Sequence, residues 1–309
     1  MEVRFEVSEI PFMEESHFSH FNSVIFLNSL QFRQKLFFKY SHGKKSIFIS
    51  FVCTSEKVWT SLPSSTFGGF EVAGSGDTAK DMIDFVALIE AYFIKNHDIK
   101  KIVILLPPAL SGYFSPEVQF YSLYSKGYAI STCNLSYSLR VEPIEFEKLI
   151  SYGNLKRIRK CIKSGVVADV QNLDMLPQIY EVISSNRIDK GYPMTLSIQE
   201  LNRQVRLFPN RFQLFSVELN GVLMAGAIAI RLNVNSLYIL YWGDLIKFRS
   251  YSPIVILCKS IYEYCLKNNI SFLDVGTSTI NREPNFGLME FKSDLGFSPN
   301  LKFTLEKDI

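Results

Sequence analysis

Residues Ser271–Lys292 read SFLDVGTSTINREPNFGLMEFK. Phe272-Leu273-Asp274-Val275 has the apolar density of a short buried strand, Gly276 breaks it, and a polar segment follows. The stretch then arrives at Phe291-Lys292, inside an otherwise apolar run where a strand would be expected to carry packing residues only. A cation delivered there needs a partner or a task, because an unpaired buried ammonium is costly.

Working outward, the preceding elements give this strand its neighbours. Arg211–Leu219 and Val222–Arg231 are two apolar runs joined by Asn220-Gly221, the pattern of a tight type I′ hairpin. Ser236–Trp242 supplies a third antiparallel strand. Pro253–Lys267 then places Ile254, Leu257, Cys258, Ile261 and Cys265 on one helical face. Further upstream, Met175–Arg187 and Ser197–Leu207 have the spacing of two more helices.

The first half shows a similar alternation. A turn at His42-Gly43-Lys44 precedes the strand Ser46–Val52, and Lys57–Leu62 reads as a second strand. The helix Asp77–Asn96 leads to a strand at Lys101–Leu106 that Pro107-Pro108 stops. Gln119–Lys126 reads as a helix and Gly127–Leu139 as a turn and strand; Phe18–Phe38 has the spacing of one or two amphipathic helices. Pro143–Tyr152 is charged and helical, without a Gly/Ser linker. Two successive series with a soft join near 145 predict an α/β chain with domains 1–145 and 146–309. Their sheets should be mixed, mostly antiparallel, and flanked by helices.

Charge and composition exclude several classes. The 33 basic and 30 acidic residues leave a net charge of +3, too weak a global field to argue for nucleic acid, so any anion site must be local. The five cysteines are scattered and lack a CxxC pair, as in a reducing compartment, and a cytoplasmic protein is expected. The opening MEVRFEVSEIPF lacks the apolar core of a signal peptide. Apolar runs such as Ile102–Leu110 reach about half of the roughly 20 residues that a spanning helix needs, so no integral membrane segment is expected. His17, His20, His42 and His97 lack metal-ligand spacing and read as surface histidines, and no metal site is expected. Gly74-Ser75-Gly76 follows no convincing buried strand and lacks the third glycine of a dinucleotide loop.

Asn154–Ser164 is the local cationic feature. Leu155, Ile158 and Ile162 lie on one side of this helix; Lys156, Arg157, Arg159, Lys160 and Lys163 crowd the rest. Such a helix either holds a phosphate of a nucleotide, coenzyme A or tRNA, or forms a solvated face.

Several segments together resemble the tandem acyltransferase-like chains related to the Fem peptidoglycan aminoacyltransferases. They are Phe67-Gly68-Gly69, Leu106-Pro107-Pro108, Asn154–Lys160, Trp242-Gly243-Asp244, Ser252-Pro253, Asp274-Val275-Gly276 and Gly287–Gly296, in the family's order. The resemblance implies two tandem GNAT-like domains and an N-acyltransferase with acyl-CoA or aminoacyl-tRNA as donor, tRNA being a possible partner. The acceptor would be an amine of a cell-envelope or polysaccharide-type precursor, a small molecule or a glycan or peptide. It also implies that Lys292, after Phe291, stabilises the tetrahedral intermediate, and that the insertion around Asp189-Lys190-Gly191-Tyr192-Pro193 encloses the acceptor.

Asp274 and Asp244, at strand ends, either orient the amine or cap turns. Tyr241, Trp242 and Arg282 are candidates to line the cleft, with Arg157 and Lys160 as anion ligands. One departure stands out: acetyl-CoA enzymes of this fold begin the equivalent helix with an Arg/Gln-x-x-Gly-x-Gly/Ala loop, whereas Lys247–Pro253 contains no glycine. The alternative is therefore a catalytically inactive GNAT-like protein that binds a nucleotide-linked glycan or peptide.

Overall fold

A computed structural model describes residues 2–12, 19–55, 57–63, 65–74, 79–109, 115–192, 194–280 and 283–309. Ser75, Gly76, Asp77, Pro193 and Arg282, named above, lie outside the described residues, as do His17 and Phe18. In chain order the early elements are β1 (Val3–Ser8), α1 (Val24–Ser29), β2 (Lys35–His42), β3 (Lys45–Ser55), β4 (Val58–Thr60), β5 (Glu71–Ala73) and α2 (Ala79–Asn96). Then come β6 (Lys101–Leu105), α3 (Pro116–Ser125), β7 (Ala129–Arg140), α4 (Tyr152–Lys163), β8 (Val167–Gln171), α5 (Leu176–Asp189) and α6 (Ile198–Leu207). The hairpin strands β9 (Phe212–Leu219) and β10 (Val222–Asn233) precede β11 (Ser236–Asp244), α7 (Pro253–Lys267) and β12 (Phe272–Thr277). The chain closes with the short β13 (Thr279–Ile280) and β14 (Glu283–Pro284), then α8 (Phe286–Asp294) and β15 (Ser298–Asp308).

The chain divides into two compact units. The first is built mainly from Met1–Leu135 and Asn300–Ile309, the second from Ser136–Ile280 and Pro284–Pro299. The reading from sequence placed the join near 145 and assigned the whole carboxyl end to the second domain. By contact, the end of β15 belongs to the first unit, where Thr304–Asp308 pairs antiparallel with Leu105–Lys101. A terminal strand's partner is set by long-range pairing, which local sequence does not specify.

In the first unit β1-β2-β3-β4 pair antiparallel, β4 then lies parallel to β6, and β6 pairs with β15. Phe18–Phe38 departs from the helical expectation, since Lys35–His42 is a strand. Leu36, Phe38 and Tyr40 recur every second residue and join the core formed with Phe51, Trp59, Phe85 and Phe93. His20, expected at the surface, is buried against Phe21 and Phe26.

In the second unit the order is β7-β12-β11-β10-β9-β8, with β11 and β12 the parallel pair and the other pairings antiparallel. Asn220 and Gly221 have φ of 51° and 76°, the two left-handed residues that a type I′ hairpin turn requires. The helices α5 and α7 pack on this sheet.

Two local outcomes bear on the site. Asn285 caps α8, its Oδ1 accepting from Leu288 N at 3.0 Å, so Phe291-Lys292 is helical rather than part of a strand. The register of β12 against β7 shifts between Asp274 and Thr277, where Gly276 takes φ of +71°. Glycine adopts that conformation at no steric cost.

Candidate functional site

A cavity of about 530 Å³ opens in the second unit. Its wall draws on the end of β11, the starts of α7 and α8, and the carboxyl end of α5 with the loop beyond it. These elements approach closely because Gly243 has no side chain: a Cβ there would lie 3.0 Å from Asn186 Cβ and 3.1 Å from Ile183 Cα of α5. The approach lets Asn186 Nδ2 donate to both the carbonyl and the Oδ1 of Asp244, each at 2.7 Å. Asp244 is buried, and its Oδ2 has a looser ion pair with Arg249 Nε at 3.7 Å.

Around this carboxylate the wall is cationic. Arg157, Arg187, Lys190 and Arg249 line the cavity, against one lining carboxylate, Asp244. Desolvation lowers the pKa of Lys190; the charge of Asp244 opposes that shift, and Arg249 and Arg187 add to it. Arg157 also donates to Asn154 Oδ1 at 2.6 Å, which aims its guanidinium from α4. The starts of α7 and α8 contribute the positive ends of two helix dipoles. Ser252, just before Pro253, has φ of 54°, a left-handed conformation in the stretch that lacks glycine. The apolar side of the cavity is formed by Trp242, Phe291, Leu288, Ile254 and Val255, with Trp242 and Phe291 edge to face at 6.4 Å.

The residues singled out from sequence fall into two groups. Arg157, Trp242, Asp244 and Phe291 come together at the cavity. Lys292 and Asp274 meet elsewhere, at the β12 irregularity. Lys292 is 1% exposed, and its Nζ donates to Gly276 O at 2.9 Å and Thr277 O at 3.1 Å. The ammonium lies 5.4 Å from the Tyr137 ring centroid. Burial lowers its pKa to about 8, with the charge of Asp274 opposing. Asp274 Oδ1 accepts from Gly276 N at 2.7 Å, so both side chains brace the same irregularity.

Tyr241 points away from Trp242, as alternation along a strand requires, and bonds Thr195 Oγ1 and Leu196 N beneath Arg187. Lys160 donates to Ser250 O at 2.6 Å, beside the cavity rather than on its wall. Arg282 is outside the described residues. Asn186, Arg187 and Arg249 were not singled out from sequence. Lys190 and Tyr192 lie in the loop expected to enclose an acceptor, which was the one available signal. Among the described residues no group of three His, Cys, Asp or Glu is placed to hold a metal, and no helix is long and apolar enough to cross a membrane.

No family model and no curated protein matches the sequence. Solved structures do match the fold. FemX superposes with a TM-score of 0.64 at 12% identity, over 88% of this chain and 87% of that one. The C-terminal domain of a candidate lysylphosphatidylglycerol synthetase from Agrobacterium fabrum gives 0.54 at 12%, over 84% and 80%. A tandem GNAT protein from the clavulanic acid biosynthesis pathway gives 0.50 at 10%, over 99% and 98%.

The fold is tandem GNAT-like, similar to that of FemX.

In this GNAT-like frame the parallel pair β11 and β12 with its crossover helix α7 carries the cavity at the helix start. At this level of identity the likeness extends to the fold, and the site has to be argued from its own side chains.

Proposed function

We propose that the chain is an N-acyltransferase, using an acyl-CoA or aminoacyl-tRNA donor and an amine acceptor of a cell-envelope or polysaccharide-type precursor. The observation that carries this reading is the cavity itself. It is large enough for a substantial part of a ligand, with four basic side chains and two helix starts around a single carboxylate and an apolar side beyond. That combination suits a phosphate-bearing molecule with a less polar portion.

In the transfer, the acceptor nitrogen attacks the acyl carbonyl carbon, a C–N bond forms, and the C–O or C–S bond to the donor breaks. Asp244, held by Asn186, is the carboxylate proposed to orient the amine and take its proton. Lys292 is proposed as the cation that steadies the developing oxyanion. Two of its three N–H groups donate to Gly276 O and Thr277 O, so this role requires the third to reach the oxyanion. Asp274 holds the same turn and acts through it. Lys160 and Tyr241 are proposed to support the wall from outside, through Ser250 and Arg187 respectively.

The same bonds favour a second reading. A lysine spent on its own backbone, away from the cavity wall, also fits a catalytically inactive protein that retains the cavity to bind a nucleotide-linked glycan or peptide. Mass spectrometry of ligands carried through purification identifies the molecule held, and transfer assays with aminoacyl-tRNA and acyl-CoA then separate the two readings. For an enzyme, Lys292→Met should lower the rate roughly 100-fold with acceptor binding largely kept. Tight binding without turnover by the wild type selects the binding protein. Arg157→Ala with Arg249→Ala should weaken binding under either reading, and unchanged affinity removes the cavity from both.

A further inference from the structure

The edge of the cavity has an unusual composition for a water-facing surface. Three large apolar residues there are exposed: Phe286 at 75%, Ile188 at 66% and Ile246 at 50%. They come from three different elements, yet each lies within two positions of a residue on the wall. Phe286 sits between Asn285 and Gly287, Ile188 follows Arg187, and Ile246 is two residues beyond Asp244. Exposed apolar residues scattered singly need no account, but three that flank the wall residues of one cavity do.

The charge beside them has one dominant sign. The turn Ile246–Tyr251 holds Lys247 and Arg249 and no carboxylate, and α4 carries five cations and no carboxylate from Tyr152 to Lys163. Lys160, through its bond to Ser250 O, joins α4 to that turn. Asp189 on α5 and Glu290 and Asp294 on α8, the last beside the start of α4, are the nearby acids, fewer than the seven cations of α4 and the turn.

We infer that this face docks on a bilayer surface rich in anionic phospholipid, with Phe286, Ile188 and Ile246 entering the headgroup boundary and the α4 and Lys247 cations meeting lipid phosphates. Two features favour a bilayer over a nucleic acid, the other polyanion that a basic face suits. The ring faces beside these cations are covered by ammonium groups: Lys156 over Tyr152 at 4.4 Å, Lys247 over Phe248 at 5.1 Å and Lys160 over Tyr251 at 5.4 Å. Rings so covered are not open platforms for stacking bases. Exposed isoleucines, for their part, gain nothing from a phosphate backbone but gain burial in a headgroup layer. The inference concerns the surface alone and holds whether or not the cavity performs acyl transfer.

The test is co-sedimentation of the full chain with phosphatidylcholine vesicles containing about one third phosphatidylglycerol, against phosphatidylcholine alone. The chain should follow the anionic vesicles only, and release as salt is raised. Lys247→Gln should weaken binding about fivefold. Phe286→Ser with Ile246→Ser should weaken it about tenfold or more, with an unchanged thermal midpoint because both side chains are exposed. Equal binding to both vesicle types, or none to either, overturns the inference. So does a loss on Lys247→Gln with none on the Phe286 and Ile246 changes, accompanied by competition from a single-stranded RNA, which would make this a nucleic-acid surface.

Discussion

The two units share a plan and use its interior differently. Each contains a parallel strand pair, β4 with β6 and β11 with β12, with a long helix, α2 or α7, between the two strands in sequence. In the first unit the helix packs down on aromatic side chains: Phe93 meets Phe38, Phe51 and Trp59 with ring centroids 5.2 to 5.5 Å apart. A cavity in that unit, beside Phe12 and Phe48, measures about 20 Å³. In the second unit the start of the crossover helix borders about 530 Å³. The same contrast appears in two buried carboxylates. Asp81 of α2 has both oxygens engaged, by Lys45 Nζ at 2.7 Å and by His42 Nδ1 at 2.9 Å; burial pushes its pKa up, but these two partners outweigh that and leave it lowered. Asp244 keeps one oxygen in only a loose ion pair beside open space. The helix of the first unit thus packs on filled space, whereas the start of the corresponding helix in the second unit borders an open cavity.

The largest effect that would probe this contrast is on packing. Phe93→Ala should destabilise the protein by about 3–5 kcal/mol, read by denaturant unfolding, while ligand affinity at the second-unit cavity stays as it was. A matching loss of affinity would show that the filled unit does more than support.

Next in size is the buried ammonium of the second unit. The folded pKa of Lys292 is about 8, below its unfolded value of 10.5, so between those values the unfolded chain holds more protons than the folded one. Stability attributable to this group therefore rises with pH from about 8 to 10.5, by up to ~3 kcal/mol, and is lowest below pH 8. Lys292→Met should abolish that rise, and comparing the two proteins' midpoints across this range measures it. Parallel pH profiles would mean that the ammonium is solvated rather than buried.

The smallest effect is at the close approach of α5. Gly243→Ala should cost about 1–3 kcal/mol and weaken ligand binding as well, since the added methyl meets Asn186 and displaces the partner of Asp244. A loss of stability without a loss of binding would separate the cavity from the position of α5.

Much of this architecture was legible in local pattern. The Asn220-Gly221 hairpin, the helical periodicity of Ala79–Asn96 and Pro253–Lys267, and the buried strand at Phe272 all follow from short-range rules of turns and amphipathicity. Of the residues that line the cavity, Asp244 was visible at a strand end, Trp242 and Phe291 through the family resemblance, and Arg157 as part of a dense basic helix.

What tertiary structure alone decided is whatever depends on partners distant in the chain. The helical state of Phe286–Asp294 turns on the Asn285 cap as well as on an apolar run that reads equally as strand. The return of Thr304–Asp308 to Lys101–Leu105 is a pairing across some 200 residues. Asn186 carries no sequence signal at all, because its role exists only where a glycine on β11 lets α5 come close. Lys292 shows the division most clearly. From sequence it was an unexplained cation in an apolar run, and its two carbonyl partners exist only because β12 breaks register at Gly276.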